Sequence, residues 1–118
     1  MPDFPYRNAL IVGAGPGISA SLARRLSGLG VKIALAARNV QKLGPLLQDT
    51  GAQAFAADAS DLKSVAGLFE RVTDGIGEPE IVVYNAATRA RGPLAELDPE
   101  AVQKALTTTA FGGFLVTQ

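Results

Sequence analysis

The chain has 118 residues, 47% of them hydrophobic and 19% charged, with eleven Lys and Arg against eleven Asp and Glu. That length holds one domain at most, and a mean hydropathy of +0.20 excludes a disordered chain, which needs low hydropathy and high net charge. Balanced charge leaves no basic field for nucleic acid, and the lack of Cys and His excludes disulfides, Cys/His zinc sites, thiol nucleophiles and histidine bases.

The start, Met1 to Asn8, lacks the basic-then-apolar order of a secretory signal, and no apolar run reaches membrane-spanning length. A soluble, cytoplasmic protein with no membrane partner and no metal is the expectation. Ala9 to Val12 is a short apolar run ended by glycines, the pattern of a strand buried on both faces. From Ile18 the period turns helical. Ile18, Leu22, Leu26 and Leu29 fall on one stripe, and Gly28 and Gly30 stop the helix.

Val31 to Ala36 reads as a second strand, and Val40 to Leu47 as a short helix broken or ended near Gly44-Pro45. Ala52 to Ala56 is a weaker third strand. Leu62, Val65, Ala66, Phe69, Val72 and Ile76 recur at helical spacing, with Ser60 or Asp61 as N-cap. Ile81 to Tyr84 is a fourth strand without a polar face. Asp98-Pro99-Glu100 places a cap before a proline and opens a last helix through Val102 and Leu106, apolar to its end at Phe111 to Val116. Four β-α units with short connections predict an α/β, Rossmann-type doubly wound parallel sheet.

The chemistry sits at the ends of the strands. Gly13-Ala14-Gly15-Pro16-Gly17-Ile18-Ser19 follows the first strand and opens the first helix. Such a turn lets backbone amides approach a diphosphate, and the helix N-terminus adds partial positive charge. Gly-x-Gly-x-x-Gly would need glycine where Ile18 stands. Gly-x-x-x-Gly-x-Gly fits better, with Gly13 and Gly17 in place and small Ser19 replacing the third glycine.

With this loop, Ala36-Ala37-Arg38-Asn39 after the second strand, Asp58-Ala59 after the third and Asn85-Ala86-Ala87 after the fourth, the sequence resembles the short-chain dehydrogenase/reductase family. The resemblance runs from about Asn8 to Gln118. It implies a dinucleotide held by Gly13, Gly15, Gly17 and Ile18 at the phosphates. Asp58 and Ala59 would lie at the adenine, and Asn85, Ala86 and Ala87 at the ribose. About 20 residues beyond the glycine loop, where NAD sites place a carboxylate, stands Ala37 beside Arg38. A guanidinium can grip a phosphate with two hydrogen bonds, so NADP(H) is expected over NAD. Asn39 supports the ribose or only shapes its turn. Asp58 and Asp61 are also good helix-starting residues. Ala86 replaces the second residue of the family's Asn-Asn-Ala-Gly segment and Thr88 the fourth, which leaves a structural role for that segment open.

Other family parts do not appear in these residues. The Tyr and Lys that handle the proton are spaced by three residues, whereas Leu10 and Thr88 follow Tyr6 and Tyr84 at that spacing. The family's helix-borne asparagine aligns with Thr109, and Thr107 to Thr109 also read as plain helix surface. The family's sheet order, 3-2-1-4-5-6-7, makes the fourth strand central. The expectation is therefore the N-terminal, cofactor-binding half of a reductase of small carbonyl or alcohol substrates, with no catalytic residue in 1–118. An apolar fourth strand left as an edge would favour self-association into a homo-oligomer. A non-catalytic nucleotide-binding or dimerising module and the N-terminal segment of a flavoprotein are the alternatives. Thr88 to Leu97, with Arg89 and Arg91, is the one stretch able to form a substrate lip.

Overall fold

Asn8–Val12 forms strand β1, and its alternation sets the architecture. In the computed structural model, which describes residues 3–118, this strand is buried along its whole length. Successive side chains of a strand face opposite ways. Ala9 and Ile11 therefore join one hydrophobic cluster, and Leu10 and Val12 another. Strand β2 (Lys32–Ala37) does the same with Ile33 and Leu35 against Ala34 and Ala36.

Helices α1 (Ile18–Gly28) and α2 (Gly44–Thr50) cover the first face with Ala20, Ala23, Leu26 and Leu46. After strand β3 (Gln53–Ala56), helix α3 (Leu62–Ile76) covers the other face with Val65, Leu68 and Val72. Strand β4 (Ile81–Tyr84) is followed by α4 (Pro99–Leu106), a π-helical turn (Thr107–Phe111) and α5 (Gly112–Thr117). Leu115 and Val116 of α5 complete the second cluster. The sheet is wholly parallel in the order β3-β2-β1-β4, with Leu10 opposite Ala34 on one side and Val82 on the other. The doubly wound, Rossmann-type expectation holds. Because β1 lies between β2 and β4, the connections after β1 and β3 run to opposite faces and a crevice opens at the strands' C-terminal ends.

The caps follow the sequence. Asp61, rather than Ser60, caps α3, its Oδ2 accepting from the Ser64 N–H at 2.9 Å. Asp98 accepts from the Glu100 N–H at 3.2 Å ahead of Pro99.

Two expectations need correction, and a third is decided between its alternatives. The buried side of α1 is Ser19, Ala20, Ala23 and Leu26, not a stripe beginning at Ile18, which is 76% exposed. Small side chains let this helix lie close on the sheet, and that turns Ile18 outward beside the glycine loop. Of the two readings of the second helical segment, the break is the one found: it changes type at Gly44 and does not end near Pro45. A 3₁₀ turn at Val40–Leu43 hands over to α2, where Pro45 occupies the first turn that tolerates it. The last helix is not regular, because the π-turn interrupts it. Among the described residues no helix is long and apolar enough to cross a membrane.

Candidate functional site

A cleft of about 520 Å3 opens at the C-terminal ends of the strands. Gly13 and Ala14 after β1, Arg38, Asn39 and Lys42 after β2, Asp58 and Ala59 after β3, and Asn85 to Thr88 after β4 all border it. Of the residues expected at a nucleotide, the fold thus brings Gly13, Arg38, Asn39, Asp58, Ala59, Asn85, Ala86 and Ala87 around one cavity. Gly15, Gly17 and Ile18 are not on its wall. They continue the loop past Gly13 into the start of α1, and Gly17 and Ile18 are exposed.

Gly13 is held hard against β4. Its φ is +90°, and an added Cβ would lie 2.6 Å from the Asn85 carbonyl carbon and from the Ala86 Cα. The N–H groups of Gly13 and Ala14 both donate to the Ala36 carbonyl, at 2.9 and 3.0 Å. Those two amides are therefore spent on β2. Among the described residues the amides of Gly15, Gly17 and Ile18 have no backbone acceptor and are the loop's free donors.

Arg38 and Asn39 are exposed at the mouth of β2. Asn39 caps the following 3₁₀ turn, its Oδ1 accepting from the Gln41 N–H at 3.1 Å. That bond shows it shaping the turn. Lys42, on the same turn, also borders the cleft, and its distance of four residues from Arg38 was the signal available in sequence. Among the described residues the ion pair is Arg24 with Asp49, so neither Arg38 nor Lys42 is in ion-pair contact with a described carboxylate.

Asp58 does its local work through one oxygen. Its Oδ1 accepts from the Ser60 hydroxyl at 2.6 Å and the Ser60 N–H at 2.9 Å, while its own N–H donates to Ser64 Oγ at 2.8 Å. The Ser60 bonds, helped by the positive charges of Arg38 and Lys104, hold its carboxyl below the ordinary aspartate range. Asp58 thus presents a firmly ionised group whose Oδ2 takes no hydrogen bond among the described residues. Ala59 is buried behind it.

Two further contacts fix the end of β4. Asn85 Nδ2 donates to Ser19 Oγ at 2.9 Å, and Ser19 Oγ donates to the Gly13 carbonyl at 3.1 Å. Tyr84 donates its hydroxyl to the Thr108 carbonyl, which the π-turn leaves available. Burial, and then the Asp58 charge, push the Tyr84 phenol above its ordinary value. Gly112 sits against this tyrosine and 2.8 Å, from an added Cβ, to the Ala59 carbonyl, so α5 comes close where a side chain could not. Thr109 is exposed, as the helix-surface reading has it, and also binds the loop after β4: its Oγ1 accepts from the Thr88 N–H at 3.3 Å and donates to the Thr88 carbonyl at 3.4 Å. Sequence reading missed the roles of Ser19, Lys42 and Tyr84.

The short chain dehydrogenase family profile matches residues 7–118. The chain belongs to that family. It is 29% identical over 115 residues to ketoacyl reductase 1, assigned to the granaticin polyketide synthase of Streptomyces violaceoruber, covering 93% of this chain and 42% of the relative. Two solved structures are equally close in fold. The F189W actinorhodin polyketide ketoreductase with NADPH has a TM-score of 0.88 at 28% identity, covering 95% of this chain and 45% of the other. A metagenomic short-chain oxidoreductase in complex with NADP has a TM-score of 0.86 at 28% identity, covering 93% and 52%. The chain therefore spans about half the length, or less, of these family members.

Proposed function

We propose that residues 1–118 are the dinucleotide-binding part of an NADP(H)-dependent short-chain oxidoreductase acting on a small carbonyl or alcohol compound. The observation that carries this reading is Arg38 at the mouth of β2, in no ion pair among the described residues, with Ala37 where an NAD site would offer a carboxylate. A 2′-phosphate satisfies that guanidinium; a bare ribose diol leaves it unmatched. The structures solved with NADPH and NADP support the same cofactor.

The remaining residues fit such a group. The free amides of Gly15, Gly17 and Ile18, at the N-terminus of α1, would hold the pyrophosphate. Arg38, with Asn39 beside it, would hold the 2′-phosphate, and the unused Asp58 oxygen would take the adenine amino group against Ala59. Asn85, Ala86 and Ala87 would floor the ribose next to the nicotinamide. When bound, the cofactor supplies or accepts the hydride. The proton-transfer groups belong outside residues 1–118 in this reading: Tyr84 commits its hydroxyl to Thr108, and Tyr6 borders a hollow with Asn8 and Lys32 at the opposite ends of the strands.

Calorimetric titration with NADPH, NADH and FAD tests the proposal. NADPH should bind most tightly. NADH binding as tightly as NADPH, or FAD binding in their place, would refute it.

A further inference from the structure

The hydroxyl of Ser19 occupies a place the glycine grammar leaves empty, and it is 1% exposed. Its single proton goes to the Gly13 carbonyl, so its oxygen is left to accept from Asn85. The first bond is a chord across the base of the loop, joining residue 13 to residue 19. The second ties that chord to the end of β4. Gly13 is consequently held from three sides: by β2 through its N–H, by α1 through Ser19, and by the Asn85-Ala86 backbone after β4, which leaves no room for a Cβ.

Between these ends the loop has little else to hold it. Among the described residues, nothing but the chain neighbours lies within 4 Å of a Cβ built on Gly15 or Gly17. The position of the free amides therefore depends on the closure at the base. We infer that Ser19 is a positioning residue for the phosphate-binding loop, holding it open and preformed through Gly13 and Asn85. This rests on the NADP(H) reading above. A loop that samples other shapes binds with an apparent affinity reduced by the fraction of time it is competent, and the Ser19 chord raises that fraction.

The test compares two ligands. NADPH carries a pyrophosphate, whereas 2′-AMP carries adenosine and the 2′-phosphate without one. In Ser19→Ala, NADPH should bind about tenfold more weakly, the worth of roughly one hydrogen bond. The affinity for 2′-AMP should stay within about twofold, since Arg38 and Asp58 do not depend on the chord. Ser19→Thr, which keeps a hydroxyl, should recover most of the NADPH affinity. If Ser19→Ala does not fold, Ser19→Gly takes its place: it also removes the hydroxyl, with the residue the glycine grammar itself puts there, so the same selective loss should appear. Equal weakening of both ligands, or no weakening of either, would overturn the inference while leaving the cofactor reading intact. A parent protein that binds neither ligand would overturn both.

Discussion

Alanine at Gly13 and at Gly15 should give opposite phenotypes, although the change is the same methyl group two residues apart. At Gly13 the backbone has φ +90°, which costs an L-residue about 1–2 kcal/mol. The new Cβ would also meet the backbone of Asn85 and Ala86 at 2.6 Å, and these are main-chain atoms directly after β4 that cannot swing aside as a side chain can. Forcing such atoms apart adds about 1–3 kcal/mol. The sum, about 2–5 kcal/mol, is a large share of a typical folding free energy of about 5–15 kcal/mol. At Gly15 no heavy atom lies within 4 Å of the added Cβ, so stability should change by about 0.5 kcal/mol or less. Any loss there should instead fall on the ligand, since the methyl enters the open space from which a diphosphate would reach the loop's amides. NADPH should then bind about tenfold more weakly or worse, a loss of about 1.4 kcal/mol. Urea unfolding and NADPH titration of both variants provide the assay. The Gly13→Ala midpoint should fall by about 1 M or more, at a slope of about 1–3 kcal/mol/M. A Gly13→Ala protein as stable as its parent, or a Gly15→Ala protein that binds NADPH undiminished, would refute the reasoning.

Arg38→Ala should weaken NADPH by tenfold or more and NADH little, since hydrogen bonds to a charged partner contribute about 1.5–3 kcal/mol. Lys42→Ala should show the same bias at smaller size, and both biases should shrink with added salt when measured by titration at several ionic strengths. Tyr84→Phe should remove a late-ionising phenol from the ultraviolet absorption titration, because burial raises that group above its ordinary value of about 10. The sign follows from the raised value: Tyr84 supports the fold fully below the unfolded pKa, and that support disappears as pH climbs through the folded one. Denaturation curves of Tyr84→Phe should therefore lose less stability than the parent between about pH 10 and the folded value.

Much of the fold is written locally. The all-apolar runs at 9–12 and 33–36 describe strands covered on both sides, that at 81–84 describes a strand left partly open with Val82 exposed, and Asp61 and Asp98 announce helix starts through a single side chain. Gly13 and Arg38 were legible because a turn and an unpaired cation each need a particular residue type. What escaped depends on distant partners. The role of Ser19 needs Asn85, 66 positions away, and that of Tyr84 needs a carbonyl 24 positions on. The outward turn of Ile18 follows from how closely Ala20 and Ala23 seat α1 on the sheet, and helical period alone cannot choose between neighbouring faces. The π-turn has no compositional mark in Thr107–Phe111.

That wide turn sets the phase of everything after it, as an extra thread does in a screw. Each residue advances an α-helix by about 100°, so one residue more per turn rotates the remainder by that angle. Leu115 and Val116 meet the α3 side of the sheet in this phase, while Phe111 and Phe114 stack on each other outside, with ring centroids 6.0 Å apart. Counting residues through 107–111, rather than hydrophobicity, therefore decides which apolar side chains of α5 the protein keeps for itself.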